Sequence, residues 1–314
     1  MNQRKKIKRS NTKIVCAYLY IISKYGYPPK IEDTKMHIDE MAQLGFSAIE
    51  LEGIGSENLA YLHTHRKEIA AHLENLKLEV PIFCIVLPKM SSFDPQIRKE
   101  QLDSFRLGCE FAAAIGAEGV LDNGPLPPYE YPSDMSIQRH YTGEQLYSLS
   151  LPQSLEWKRY WEGLATTFRD ACAIADTYGL QYHLHPCEGS LVSGTDGFEN
   201  FKRAVDRENL MFNVDTANQF FLKDNISLSV LRSATAIKYI HISDNSGLQL
   251  GHLRPGSGKI HWDSFFNSLK KIDFSGRFGI DIGGKESPIE NLDKAYLETA
   301  IWLEEQIKRY QLFV

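Results

Sequence analysis

The sequence predicts a single-domain α/β protein with a (β/α)8, or TIM, barrel fold. Short apolar segments alternate with longer amphipathic ones about eight times, the order expected of parallel strands covered by helices. The chain of 314 residues is long enough, because such barrels usually occupy roughly 250 residues as one unit. No linker, internal repeat or low-complexity tract divides it, so we expect one domain over residues 14–314.

The predicted strands are brief and nearly continuous in apolar residues, as in parallel sheets buried on both faces. They cover residues 14–20, 47–52, 80–87, 119–122, 181–185, 211–215, 237–242 and 277–282. The helical patterns cover residues 31–44, 56–77, 95–115, 154–178, 197–206, 227–233, 263–271 and 291–310. Gly116 and Gly179 stand where a helix would end in a left-handed residue before the next strand.

The composition is that of a globular protein with a slight excess of acidic groups. Hydrophobic residues make up 43% of the chain, and 35 basic against 40 acidic side chains give a formal net charge of −5. Nucleic-acid binding usually needs a basic face, and a membrane helix needs about 18 or more consecutive apolar residues. We therefore expect a small-molecule substrate and no nucleic-acid or membrane partner, and we leave homo-oligomer formation open.

Cysteine usage and the first residues indicate a cytoplasmic protein. The five cysteines are odd in number and none forms a CxxC pair, so we expect reduced thiols rather than disulfides or a thiolate zinc site. Residues 1–13 carry basic side chains ahead of an apolar segment, which superficially resembles a secretory signal. No small-residue cleavage site follows, so we interpret these residues as a basic tail leading into the first strand.

Two connections, residues 123–153 and 243–262, are too long for plain loops between a strand and a helix. Both follow a strand, which places them at the C-terminal face of a barrel, where active sites lie. We expect residues 123–153 to cover the pocket and to offer aromatic surface, such as Tyr129 or Tyr131, to a sugar or an aglycone. The alternative is a decorative or oligomer-forming insertion.

Polar side chains stand at the ends of the fifth to eighth predicted strands. They are His183, His185, Asp215, Asn218, His241, Asp244 and Asp281. A lone histidine there is often a hydrogen-bonded structural group, and a lone aspartate before threonine is often a helix cap. Four polar strand ends in consecutive order favour a shared pocket instead, and imidazoles with carboxylates can hold a divalent ion.

These segments together resemble the xylose isomerase-like barrels, a group with sugar isomerases and epimerases, inosose dehydratases and apurinic endonucleases. The resemblance rests on residues 180–185, 213–218, 241–245, 255–258 and 279–281. It implies a divalent metal held by His183, Asp215, His241 and Asp281, with Mn²⁺ as first candidate and Mg²⁺, Co²⁺ or Zn²⁺ as alternatives. The family pattern has glutamate at the first and fourth positions, where this chain has His183 and Asp281.

This departure affects the expected mechanism, because metal-bound glutamates of the ketose epimerase branch also act as acid and base. Another base is needed, and a histidine with an ordinary pKa of about 6.5 is suited to proton transfer at neutral pH. We expect His183 to be the ligand and His185 the base, with Glu50 and Glu188 as further catalytic candidates. Asn218 replaces a family histidine and cannot accept a proton.

Further residues are candidates for substrate binding. Glu52 ends a segment that looks like the family's strand-two carboxylate, although a solvated loop start is equally compatible. His252 and Arg254 lie in a glycine-rich segment that resembles the family's loop after strand seven. Asn218 and Asp244 complete the expected substrate-binding set.

The resemblance implies a metal-dependent sugar isomerase or epimerase that removes a proton beside a carbonyl to give an enediolate. The first alternative is a lyase or dehydratase acting on a keto-sugar, keto-glycoside or keto-inositol, which shares that step. Two further alternatives are a metal-free carbohydrate-binding subunit and an apurinic-type endonuclease. The endonuclease branch carries extra histidine ligands that the ends of strands two to four do not offer here.

Overall fold

Parallel strand segments form the wall of a barrel in the computed structural model, which describes residues 11–132, 135–141 and 143–313. The strands are β1 (Ile14–Cys16), β2 (Leu51–Ile54), β3 (Ile82–Val86), β4 (Gly119–Asn123), β5 (Gln181–His185), β6 (Leu210–Phe212), β7 (Val214–Asp215), β8 (Tyr239–Ile242) and β9 (Arg277–Ile280). All their pairings are parallel.

Helices cover the outside of the wall in sequence order. They are α1 (Leu19–Tyr25), α2 (Thr34–Gln43), α3 (Gly55–Leu76), α4 (Pro95–Ala114), α5 (Gly143–Tyr147), α6 (Trp157–Thr177), α7 (Thr195–Val205), α8 (Thr216–Phe221), α9 (Ile226–Arg232), α10 (Trp262–Lys271) and α11 (Leu292–Tyr310). Gly116 and Gly179 follow α4 and α6 with φ of 75° and 69°, as the sequence predicted.

The barrel wall consists of two sheets, one of four strands and one of five. One has the order β1-β9-β8-β7 and the other β2-β3-β4-β5-β6. A parallel bridge between Cys16 and Ile49 joins them on one side. On the other side β6 and β7 are two halves of the sixth barrel strand, interrupted at Asn213, whose N–H donates to the Leu184 carbonyl at 2.9 Å. The predicted eight-stranded barrel is therefore confirmed.

The first strand is shorter than predicted. It ends at Cys16, and Leu19–Tyr25 is helix α1 rather than part of a strand over residues 14–20. Residues 19–22 of α1 are buried, and a short buried apolar run does not distinguish a helix from a strand by periodicity. The short helices α5 and α8 were also not predicted.

The lower interior of the barrel is closed by packed side chains. This inner cluster contains Val15, Ala48, Ile82, Cys84, Leu121 and Tyr239. Above it, the C-terminal ends of the strands are polar, so the packed layer separates the site from the opposite face.

Three further predictions concern the N-terminal tail, the cysteines and membrane helices. Residues 1–10 of the predicted basic tail lie outside the described residues. All five cysteines are buried and unpaired. Among the described residues, no helix combines the length and the apolar character that crossing a membrane demands.

Asp122, on β4, is a buried carboxyl outside the polar strand ends. It is 3% exposed and accepts hydrogen bonds from the Asn123 N–H at 2.8 Å and the Tyr182 hydroxyl at 3.3 Å. Burial raises its pKa to about 7, although the Asn123 N–H opposes the shift. The folded protein thus binds more protons here than the unfolded chain between pH 4 and 7, so this group contributes stability at low pH that is lost as pH rises.

We expect Asp122→Asn to remove that pH dependence. Relative to wild type, the free energy of unfolding of the variant should rise by about 1–4 kcal/mol between pH 5 and pH 8, as measured by urea denaturation. Asp103→Asn, at an exposed position of α4, is the matched control and should show no such change. A wild-type-minus-variant difference that stays constant with pH would contradict the assignment.

Candidate functional site

A polar cavity opens at the C-terminal ends of the barrel strands. Its polar lining residues are Tyr27, Glu50, Glu52, Asn123, Arg139, His140, His185, His241 and Asp281. They come from the segment after α1, from β2 and the residue before it, from β4, β5 and β8, and from the loops after β4 and β9. We call this space the donor cavity.

Asp215 lies at the centre of the site and uses its two carboxylate oxygens differently. Oδ1 accepts a hydrogen bond from the Asn218 N–H at 2.8 Å, which caps α8. Oδ2 lies 2.8 Å from His185 Nε2 and 3.8 Å from His241 Nδ1. Burial would raise the pKa of Asp215, but hydrogen bonds with His185 and His241 hold it well below its usual range. Asp215 is thus both a helix cap and an ionised group facing two imidazoles.

His185 is oriented by Cys187. Its Nδ1 lies 3.2 Å from the Cys187 sulfur, which donates to Asn123 Oδ1 at 3.3 Å, while Nε2 faces Asp215. Burial alone would lower the pKa of His185, yet the Cys187 sulfur and the bond with Asp215 outweigh it and raise the pKa to about 10. One ring nitrogen is therefore held by sulfur and the other points at the carboxylate.

His241 is oriented by Glu50 in a similar way. Its Nε2 lies 3.0 Å from Glu50 Oε2, which also accepts from the Tyr239 hydroxyl at 3.0 Å. The Tyr18 N–H donates to the other oxygen at 3.2 Å. Burial opposes ionisation of both partners, but the attraction between Glu50 and His241 outweighs it. The pKa of Glu50 is therefore lowered, and that of His241 is raised well above its usual value. Asp215 contributes to the shift on His241.

A second set of contacts joins the loops above the strands. His252 Nε2 lies 3.6 Å from Asp281 Oδ2, and its Nδ1 lies 2.8 Å from Glu286 Oε1. Arg139, from the loop after β4, pairs with Glu286 at 2.5 Å and reaches His252 Nε2 at 3.3 Å. These contacts tie the loop after β4 to the loops after β8 and β9.

Among the described residues, three groups of side chains each bring their donor atoms within 4.8 Å of one another. They are His185, Asp215 and His241; Asp215, His252 and Asp281; and His140, His252 and Glu286. The first two groups are fully buried and share Asp215. Of the four predicted ligands, Asp215 therefore shares one group with His241 and another with Asp281.

His183, the fourth predicted ligand, lies one row lower and outside these donor groups. In register it pairs with Leu121, whereas His185 pairs with Asn123 at the cavity. Its ring packs edge-on against Tyr239 with centroids 6.5 Å apart, and its buried Nδ1 has no hydrogen-bond partner among the described residues. Burial, with the charge of His241, lowers its pKa to about 3.

Two predicted carboxylates line the cavity system. Glu52 lines the donor cavity, where burial and the charge of Glu50 raise its pKa to about 8 against the opposing charge of Arg139. Glu188 lines the adjoining space, together with Asn123 and Arg139. Both therefore lie near the site.

The other predicted substrate-binding residues have different surroundings. Arg254 points away from the cavity and pairs with Glu298 on α11. Asn218 is buried behind Asp215, with both side-chain amide atoms unpartnered among the described residues. Asp244 is fully buried and holds the loop after β8. It accepts from the N–H groups of Asn245, Gly256 and Ile260 and from the Trp262 indole at 2.8–3.2 Å.

Several site residues were missed by sequence reasoning, above all Arg139, His140 and Glu286. Arg139 and His140 do come from the long loop predicted to cover the pocket, and they are adjacent basic side chains in a segment otherwise rich in proline and tyrosine. That contrast is a usable signal. Tyr129 and Tyr131 do not line the donor cavity; they pack against a small cluster of Leu126, Tyr141 and Leu146 in the same loop.

A family model for the xylose isomerase-like TIM barrel matches residues 38–306. The chain belongs to this family. A search of curated proteins by sequence gave no match.

Solved structures of sugar epimerases superpose on most of the chain. The apo form of 3-keto-D-glucoside 4-epimerase, YcjR, from E. coli is 15% identical with a TM-score of 0.70, covering 94% of this chain and 100% of that one. D-psicose 3-epimerase with D-tagatose from Clostridium cellulolyticum H10 is 16% identical with a TM-score of 0.69, covering 94% and 99%.

A structure of the IolI protein with a bound zinc atom is also similar. It is 18% identical with a TM-score of 0.66, covering 95% of this chain and 98% of that one. At these identities the likeness concerns the fold.

The position of Asp244 predicts a structural role for its carboxylate. We expect Asp244→Ala to lower the free energy of unfolding by about 2–4 kcal/mol, since buried N–H donors lose a charged acceptor, and to expose residues 246–258 to proteases. Urea denaturation and limited proteolysis measure the two effects. Ser257→Ala, exposed in the same loop, should change neither, and a wild-type cleavage pattern for Asp244→Ala would refute the role.

Proposed function

We propose that this protein is an enzyme, a divalent-metal-dependent sugar isomerase or epimerase that moves a proton at the carbon beside a carbonyl. The observation that carries the proposal is the buried group of His185, Asp215 and His241, with Asp281 beside it. The fold of the sugar epimerase structures supports the same class of substrate.

The residues at the site suit a divalent cation of the Mn²⁺, Co²⁺ or Zn²⁺ kind. Imidazole nitrogens and carboxylate oxygens are the donors that these ions accept, and three buried carboxylates, Glu50, Asp215 and Asp281, supply negative charge. Glu50 and Cys187 each orient one histidine ring, as partners of metal-binding histidines do. A cation would be held by Asp215 Oδ2, His185 Nε2, a ring nitrogen of His241, and Asp281.

In this proposal His185 replaces His183 as the ligand from β5. The reason is depth: His185 faces Asp215 at 2.8 Å, whereas His183 lies in the packed row below. His183 has the lower pKa of the two, and its Nδ1 has no hydrogen-bond partner among the described residues, so we assign it an uncharged packing role in the barrel.

The base must then be another residue of the donor cavity, and Glu52 is the best placed. Glu50 is occupied by three hydrogen bonds, and Glu188 lines only the adjoining space. A pKa of about 8 lets the Glu52 carboxyl hold and release a proton near neutral pH. A bound divalent ion would polarise a carbonyl and so acidify the neighbouring C–H. Glu52 takes that proton, and the Arg139 guanidinium limits how far its carboxylate is destabilised.

Metal content tests the ligand set. After incubation with Mn²⁺ and desalting, wild type should retain about one equivalent by elemental analysis, and Asp215→Asn and His185→Ala should each bind it more than about 100-fold more weakly, beyond the loss seen when only a ligand's orienting partner is removed. Asp215→Asn preserves the cap oxygen of α8, which limits unfolding. His183→Ala is the matched control and should keep its metal. Loss in His183→Ala with retention in His185→Ala would restore the sequence-based ligand.

Solvent exchange tests the reaction. A 2-ketohexose or methyl 3-keto-β-D-glucoside, incubated with the Mn²⁺-loaded protein in heavy water, should gain one deuterium beside the carbonyl, detected by mass spectrometry. Glu52→Gln should keep its metal and lose exchange by about 10²–10⁴-fold, while Glu188→Gln should exchange normally. Exchange lost only in Glu188→Gln would move the base to that residue. No exchange with either sugar in wild type would refute the isomerase or epimerase class.

A further inference from the structure

A large groove lies beside the site, on the loop after β4. Its volume is about 830 Å³, against about 50 Å³ for the donor cavity. Most of its lining is aromatic, proline or aliphatic: Pro88, Phe93, Ile97, Leu126, Pro127, Pro128, Tyr129, Tyr131, Pro132, Met135, Ile137, Tyr141 and Pro152. Polar side chains such as Lys89 and Glu130 complete the lining. We call this space the tyrosine groove.

One small space, of about 30 Å³, lies between the tyrosine groove and the donor cavity and shares lining residues with both. That space shares Pro88, Ser91, Leu126 and Tyr141 with the groove. It shares Val86, Asn123, Arg139 and His140 with the donor cavity. The three spaces therefore lie side by side along the loop after β4, on the path that an extended substrate would take.

The aromatic wall of the groove is held in place by its own contacts. Tyr129 and Tyr131 meet edge to face with centroids 6.3 Å apart, and Tyr131 meets Tyr141 in the same way at 6.0 Å. The Tyr131 hydroxyl donates to the Pro127 carbonyl at 3.2 Å. Fixed aromatic rings offer apolar surface at little entropic cost, and their faces favour planar rings.

We propose that the tyrosine groove binds an apolar, ring-shaped aglycone, so that the substrate is a keto-glycoside rather than a free sugar. This inference rests on the proposed function, since the sugar part must occupy the donor cavity. The two chemistries divide accordingly: acids and imidazoles face the sugar, and tyrosines and prolines face the aglycone. A free sugar would fill the polar end and leave the larger apolar space without a partner.

The test compares two substrates that differ only in the aglycone, p-nitrophenyl and methyl 3-keto-β-D-glucoside. In the exchange assay, wild type should show a KM for the aryl compound at least about tenfold lower, the scale expected for burying one ring. Tyr129→Ala should reduce that ratio to below about threefold by raising the KM for the aryl compound. Tyr129→Phe, which keeps the ring, should retain the preference.

The matched control is Tyr147→Ala in the same loop, where the side chain is 87% exposed and outside the groove lining; it should behave as wild type. Calorimetry of p-nitrophenyl β-D-glucoside binding gives a second readout that does not depend on turnover. If neither keto-glycoside exchanges but calorimetry shows binding that Tyr129→Ala weakens, the proposed function fails and the groove assignment stands. Equal KM values in wild type, or a preference that survives Tyr129→Ala, would overturn the aglycone site. So would a change of oligomeric state in Tyr129→Ala with unchanged KM values, which would make the groove an interface between copies.

Discussion

The buried Asp215 carboxylate is the constraint on which the site depends. It ends β7 and caps α8 with one oxygen, and it faces His185 and His241 with the other. A fully buried carboxylate must be ionised among partners or be protonated, because an unpaired charge in the interior is costly. The sixth barrel strand is interrupted at Asn213, and Asp215 ends its second half. The path of the backbone there therefore fixes the position of the carboxylate.

The neighbours of Asp215 form an ordered series rather than a loose cluster. His185 directs Nε2 to Asp215 and has Cys187 at its Nδ1. His241 directs Nε2 to Glu50, and its Nδ1 lies 3.2 Å from the Asn213 amide nitrogen and 3.8 Å from Asp215. Such pairing fixes ring orientation and tautomer. Asp244 supports the series indirectly, because it holds the loop from which His252 approaches Asp281. The polar rim is therefore built from local bonds that a helix cap, a strand register and a loop each supply.

The sequence was sufficient for the fold because the patterns that define it are local. Strand and helix periodicities and glycine ends placed most elements, and a buried apolar run misled only where strand and helix look alike, at Leu19–Tyr25. The strands that carry polar ends were also found. What the sequence could not resolve is depth and direction: His183 and His185 share a face, and only register separates their rows. Arg139 and Arg254 lie in irregular loops, where no periodicity tells which side chain turns inward.

The neutral row beneath the site makes the electrostatic surroundings of the cavity one-sided. His183, Leu121 and the inner cluster form an uncharged, closely packed base, and two residues along a strand correspond to roughly 6.6–6.8 Å. The charged groups at the rim therefore lie above a medium of low dielectric constant, which strengthens charge–charge interactions. The loops above them determine how much water reaches these groups. The loops thus influence the strength of the charge–charge interactions in the cavity. Substitutions confined to the loops can change these interactions without disturbing the barrel.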